Sequence, residues 1–282
     1  MPELSTAPRT IEFHIRRYLP ETDSAPHWQV YEVPVRKGMT VLEGLHYIKN
    51  QLDPTLAWRY SCRMGTCGSC GMLLNGRPAL ACNTQILDIA EESLTLAPLC
   101  NFEIIRDLVP DLCSMFDKHS LVRPYILRAN EGEINDPAGE FYQSPEQLES
   151  YLQFALCIKC GCCMAACPTL ATDARYLGPM PLAAGQRYNA DTRDAGRRER
   201  NLLTGGPAGV FRCHYAGECS HVCPKGVDPA KALQLLKRYL VLDYLGLHGR
   251  TTPCERLEGP GGGERRPDIP AAPEKTVEPA RK

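Results

Sequence analysis

The stretch CIKCGCCMAACP, residues 157–168, places five cysteines within eleven residues, and FRCHYAGECSHVCP, residues 211–224, returns to the same spacing with one change. In the first run Cys157, Cys160, Cys163 and Cys167-Pro168 give C-x2-C-x2-C-x3-C-P. In the second, Cys213, Cys219 and Cys223-Pro224 hold the same places, but Ala216 stands at the second. Thiols packed this densely suit no disulfide scheme. Cysteine makes up about 5 % of the 282 residues, below the 8–10 % of a small disulfide scaffold. The cysteines are clustered rather than spread, which points to metal ligation.

Paired runs of this form hold iron–sulfur clusters, the first three cysteines of a run binding one cluster and the fourth binding the other. Applied here, Cys157, Cys160 and Cys163 with Cys223 make four ligands for a [4Fe–4S] cluster. Cys167, Cys213 and Cys219 make only three, and a corner facing Ala216 has no thiolate, so a [3Fe–4S] cluster is the expected occupant. Cys162, between two ligands, is the spare, with its side chain sent elsewhere. A third motif, RYSCRMGTCGSCG at residues 59–71 followed by Cys82, spaces Cys62, Cys67, Cys70 and Cys82 as C-x4-C-x2-C-x11-C. That is the plant-type [2Fe–2S] pattern, and Gly65, Gly68 and Gly71 allow the loop to wrap a cluster closely. A four-cysteine zinc site is the alternative, although zinc loops usually pair two short C-x2-4-C units. Cys100, Cys113, Cys162 and Cys254 are left as free thiols of a reducing compartment.

The length suits two domains, and the pattern predicts an α+β protein. Residues 8–104 read as a plant-type ferredoxin β-grasp domain. Ile11, Phe13 and Ile15 alternate with polar residues, Trp28–Val35 forms a second strand, and Asn75-Gly76 is a hairpin turn between Met72–Leu74 and Ala79–Ala81. Ser93–Leu96 forms a further strand. Thr40 and Glu43 make a capping box for a helix whose Leu42, Leu45, Ile48 and Leu52 share a face. Residues 105–246 read as an all-helical, bacterial-ferredoxin-like domain. Ser144-Pro145-Glu146-Gln147 opens a helix with an apolar face of Leu148, Tyr151, Leu152, Ala155 and Leu156. Asp228-Pro229 opens the last helix, with a stripe of Ala232, Leu233, Leu236, Tyr239 and Leu240. Residues 247–282, rich in Pro, Gly and charge, read as a disordered tail.

A net charge of −1 offers no basic field for nucleic acid. The arginine-rich RRER, residues 197–200, is balanced by Asp191, Asp194 and Glu199 and reads as a solvated or interface helix. The N-terminal stretch lacks an apolar core, so no signal peptide is expected, and with Glu3 and Glu12 and no Ser/Arg-rich amphipathic leader a mitochondrial origin is not expected either. No run of 18 apolar residues exists; Lys237, Arg238 and Asp243 interrupt the longest, Leu233–Leu247, so membrane attachment would need another subunit.

The motifs RYSCRMGTCGSCGM, LVRPYI, CIKCGCCMAACP, YLGPM, RYNADTRD and FRCHYAGECSHVCPKGVDP together resemble the iron–sulfur subunit of succinate dehydrogenase and fumarate reductase, the complex II family. The resemblance covers the chain from Arg9 to about Tyr244. It implies a partner flavoprotein subunit whose FAD exchanges two electrons with succinate or fumarate. Those electrons would pass singly through the [2Fe–2S], [4Fe–4S] and [3Fe–4S] clusters to or from a quinone at a membrane anchor, with or without haem b. It also implies a peripheral position on the cytoplasmic face of a bacterial inner membrane. His214 takes the place of a quinone-site histidine and Lys237 that of a lysine in the quinone vicinity. Thr172 stands where ubiquinone-using members carry a tryptophan, which leans toward menaquinone. The alternative is a homologous subunit that serves another flavoprotein dehydrogenase or reductase. A free-standing ferredoxin-like carrier and a zinc-binding module are further readings.

Overall fold

The computed structural model describes residues 9–129, 132 and 141–247. Cys254 and the rest of the expected tail beyond Leu247 lie outside them.

Alternation builds the first layer. Strand β1 (Arg9–Arg17) buries Ile11, Phe13 and Ile15 completely and pairs antiparallel with β2 (His27–Val35). Helix α1 (Val41–Tyr47) starts at the Thr40–Glu43 capping box and packs Val41, Leu42 and Leu45 onto the sheet. The helical face predicted to run on to Leu52 does not hold. From Ile48 the chain widens into a π turn over Ile48–Leu52, closed by the Asp53 amide donating to the Ile48 carbonyl at 2.8 Å. The extra residue per turn rotates Leu52 out to 47 % exposure.

Strands β3 (Gly71–Leu74) and β4 (Arg77–Leu80) form the expected hairpin. Asn75 (φ 49°) and Gly76 (φ 77°) both take the left-handed conformation such a two-residue turn requires. After the short helix α2 (Ile86–Ile89), β5 (Ser93–Ala97) inserts parallel to β1 and completes a sheet in the order β2-β1-β5-β3-β4.

The helical reading from residue 105 gives way to a small ribbon of β6 (Ile104–Arg106) and β7 (Val109–Pro110). Its turn residue Asp107 is 1 % exposed and tied to the sheet: Arg17 Nε donates to it at 2.8 Å and the amides of Tyr18 and Ala57 at 3.0 and 2.9 Å.

Helices follow. They are α3 (Cys113–Leu121), α4 (Pro145–Ala155), α5 (Cys162–Ala165), α6 (Pro168–Thr172), α7 (Pro179–Asn189), α8 (Arg197–Thr204), α9 (Glu218–His221) and α10 (Pro229–Tyr244). The Ser144–Gln147 capping box and the Asp228 cap form as predicted. The predicted face of α4 does not. The helix buries Tyr151 and Phe154, while Leu148, Leu152 and Leu156 are 41–53 % exposed. Tyr151 turns inward because its hydroxyl donates to Gln143 at 2.6 Å and accepts from Arg193 at 3.1 Å, while Arg187 of α7 lies over its ring.

The reading of RRER as a solvated or interface helix suits Arg198 and Glu199, which are exposed, but fails at its last residue. Arg200 is fully buried, and its guanidinium grips both Asp194 oxygens at 2.6 and 2.7 Å. It also donates to the carbonyls of Arg123 and Tyr125 at 3.1 and 2.8 Å. The balancing acids were visible in sequence; the burial was not. No helix of the described residues is long and apolar enough to cross a membrane.

Candidate iron–sulfur centres

The loop from Arg59 to Gly71 turns its backbone amides toward sulfur. Cys62 Sγ accepts from the amides of Thr66 and Cys67 at 3.2 Å and of Met64 at 3.5 Å. Cys82 Sγ accepts from Gly65 at 3.2 Å, Cys67 Sγ from Ser69 at 3.5 Å and Cys70 Sγ from Cys82 at 3.4 Å. Arg63, Gly65 and Gly68 reach these positions with φ of 58°, 67° and 76°. The amides of Met64, Thr66 and Cys67 bring the Cys62 thiol down to about 6, whereas burial pushes Cys70 up to about 12. Donors that favour a thiolate suit a bound, electron-rich cluster.

The two later runs share one backbone path. In the first, Lys159 (φ 55°) and Gly161 (φ 83°) lead into α5; in the second, Tyr215 (φ 59°) and Gly217 (φ 82°) lead into α9. The repeat seen in the cysteines is thus a repeat of conformation, with Ala216 where Cys160 stands. The folded runs exchange their last cysteines. Cys157, Cys160, Cys163 and Cys223 line one cavity. Cys167, Cys213 and Cys219 line another, with Ala216, His214 and Tyr176.

Among the described residues, no three His, Cys, Asp or Glu side chains converge as a single metal ion requires. A zinc ion draws its donors to about 2.3 Å from one point. A cluster spreads its thiolates over several irons and needs space between them. Four cysteines around one cavity and three around the other suit that requirement.

Neighbouring cysteines part ways at Cys162 and Cys163. Cys162 is fully buried in the sheet-side core, and Cys163 packs in the helical core. His214 is exposed on the rim of the second cavity. Lys237 Nζ donates to the Cys213 carbonyl at 2.9 Å, so it holds the loop that carries the cysteine. Thr172 is exposed, and its hydroxyl donates within its own helix to the carbonyls of Thr169 and Pro168.

Two residues went unread in the sequence. Asn101 sends Nδ2 to the carbonyls of Met164, Ala165 and Cys167 at 2.9–3.1 Å, satisfying the open end of α5 between two cysteines. Tyr176 is buried beside the second cavity. Asn101 sits in no recognisable pattern, and Tyr176 sits inside YLGPM, where a motif letter does not reveal which way a ring points.

The cysteine loop and the first run also touch each other. A Cβ added to Gly68 would lie 2.7 Å from Cys160 Cβ and 2.8 Å from its Cα. Gly68→Ala is therefore expected to cost more than the roughly 1–2 kcal/mol of a left-handed backbone, and to lower both thermal stability and cluster-specific absorbance. Gly76→Ala, at φ 77° with open space around it, should pay only the backbone term. Equal losses in the two variants would contradict the close contact.

The chain matches the 2Fe-2S iron-sulfur cluster binding domain over residues 12–117 and the 4Fe-4S dicluster domain over residues 153–227. It is 46 % identical to a fumarate reductase iron-sulfur subunit of Mycobacterium tuberculosis over 253 residues, 90 % of this chain and 98 % of that protein. It is 43 % identical to the corresponding subunit of Haemophilus influenzae, over 82 % of this chain and 93 % of that one. Its fold is similar to a chain of the Mycobacterium smegmatis Sdh1 complex in the apo form, with a TM-score of 0.74 at 25 % identity, covering 84 % of this chain and 98 % of that one. Two cluster domains in this order, on a chain aligned almost end to end with such relatives, mean that the protein belongs to the family of fumarate reductase and succinate dehydrogenase iron–sulfur subunits.

Proposed function

We propose that this chain is the electron-transfer subunit of a membrane-bound quinone oxidoreductase acting on succinate or fumarate. Its partners are an FAD-bearing flavoprotein subunit and a membrane anchor, and its quinone is menaquinone. In this reading Cys62, Cys67, Cys70 and Cys82 hold [2Fe–2S]; Cys157, Cys160, Cys163 and Cys223 hold [4Fe–4S]; and Cys167, Cys213 and Cys219 hold [3Fe–4S]. When bound, the clusters supply one-electron couples whose potentials follow charge, sulfur hydrogen bonds and burial.

The observation that carries the reading is the order of the sites. The first loop abuts Cys160 of the second site, and the two runs exchange Cys223 and Cys167 between the second and third. The chain's work is to fix this order, to aim amides at sulfur, and to keep water from the buried cysteines. Dicarboxylate chemistry belongs to the flavoprotein.

An open apolar groove lined by Leu202, Phe211, Leu240, Val241, Tyr244 and Leu245 lies at the end of α10, and Phe211 is two residues from Cys213. Exposed apolar surface of this kind supports docking on an anchor, with the chain peripheral at the cytoplasmic face of the inner membrane. His214 and Lys237 then lie toward the quinone, Lys237 through its hold on Cys213.

The test compares two rates in the detergent-solubilised complex: fumarate reduction with a reduced menaquinone analogue, and succinate oxidation with a ubiquinone analogue. Faster fumarate reduction is the expected result. Faster succinate oxidation with ubiquinone would overturn the quinone assignment. Failure of both reactions in a cluster-replete complex would hand the subunit to another flavoprotein.

A further inference from the structure

The cavity lined by Cys167, Cys213 and Cys219 contains a polar group that the protein leaves unmet. Tyr176 is 1 % exposed, and its hydroxyl makes no well-formed hydrogen bond to a protein atom; the Cys213 side chain is its polar neighbour. Native interiors rarely leave a buried hydroxyl unpaired. Burial keeps the ring from water, and the backbone that carries it is held on both sides. The Tyr176 amide donates to the Asp173 carbonyl at 3.1 Å, and its own carbonyl accepts from Lys118 at 2.8 Å. The next amide, of Leu177, donates to the Ala208 carbonyl at 2.9 Å. Tyr215, the other tyrosine lining this cavity, is 59 % exposed and has solvent within reach. Only Tyr176 is both fixed and unsatisfied.

We propose that the Tyr176 hydroxyl donates a hydrogen bond to sulfur of the [3Fe–4S] centre held by Cys167, Cys213 and Cys219, and thereby raises its reduction potential. The inference rests on the cluster assignment above. Reduction adds negative charge to the cluster and its sulfurs, so a donor stabilises the reduced state more than the oxidised one. Amides serve these sulfurs too: the Tyr215 amide approaches Cys213 Sγ at 3.4 Å, those of Thr169 and Leu170 face Cys167, and that of Ser220 faces Cys219. The Tyr176 hydroxyl adds a buried side-chain donor to these amides. It makes Tyr176 a positioning and tuning residue, outside the acid–base chemistry of the complex.

The experiment is a potentiometric titration of the intact complex, followed by the electron paramagnetic resonance signal of the oxidised three-iron centre. Tyr176→Phe keeps the ring and removes the donor. The one-electron equilibrium of this centre should move three- to tenfold toward the oxidised form, tenfold being 59 mV for one electron. The other two centres should not move. An unchanged midpoint with the centre intact would overturn the proposal, while a wild-type complex without a three-iron signal would overturn the assignment beneath it. A second measurement keeps the hydroxyl. In a Tyr215→Phe background, 3-fluorotyrosine makes Tyr176 a stronger donor and should raise the midpoint; no change there would also overturn the proposal.

Discussion

Ala216→Cys is expected to convert the three-iron centre into a four-iron one. The two runs share a backbone path, with left-handed residues at Lys159 and Gly161 in one and at Tyr215 and Gly217 in the other. Cys160 sits between the first pair and lines its cavity; Ala216 sits between the second pair and lines the other. A thiolate at position 216 therefore reaches the corner that lacks one. The oxidised-state paramagnetic signal should disappear and a reduced-state signal should replace it. The midpoint should fall by well over the 59 mV that marks a tenfold change in a one-electron equilibrium. Quinone-linked turnover should slow, because the last carrier would no longer accept electrons readily. An oxidised signal that survives the substitution unchanged would contradict the assignment of Cys167, Cys213 and Cys219 to one centre.

The largest loss of stability is expected at Arg200. Its side chain is fully buried, the Asp194 side chain is 1 % exposed, and the two meet through paired bonds of 2.6 and 2.7 Å. Removing one partner of a buried pair strands the other charge, which typically costs about 3–5 kcal/mol. Arg200→Ala also frees the carbonyls of Arg123 and Tyr125. Asp194 keeps the amides of Leu127 and Gly196, which limits the damage. Thermal unfolding of the cluster-loaded protein should show a drop of roughly 6–20 °C, at about 2–4 °C per kcal/mol for a chain of this size. Arg197 pairs with Asp243, whose side chain is 35 % exposed, and lies over the Tyr239 ring, so Arg197→Ala should cost about 1–2 kcal/mol. A small effect at Arg200 would mean that water or rearrangement replaces the pair.

Much of this was legible in the residues. Strict alternation disclosed β1, two capping boxes disclosed helix starts, and cysteine spacing disclosed which cysteines of the two later runs share a cavity. Each of those signals is local and repeats a fixed period or offset. What escaped depends on partners distant in sequence. The leucines of α4 match a helical face as well as Tyr151 and Phe154 do, and only the contacts of Tyr151 with Gln143, Arg193 and Arg187 decide which face turns in. Arg200 looked like a surface charge because its acid was visible but the depth of the pair was not. The ribbon at Ile104–Pro110 is too short for a pattern, and Asp107 ties it down from 90 residues beyond Arg17. Tyr176 and Asn101 act through direction, which composition does not encode.

The central claim is that one chain holds three different clusters, divided as the cysteine runs divide. Mössbauer spectroscopy of the complex grown on iron-57 and purified without oxygen tests it most directly. The account predicts three components from this chain, with iron in a ratio of about 2:4:3 for the two-, four- and three-iron centres. Two four-iron components beside the two-iron one, or zinc in place of iron, would contradict it.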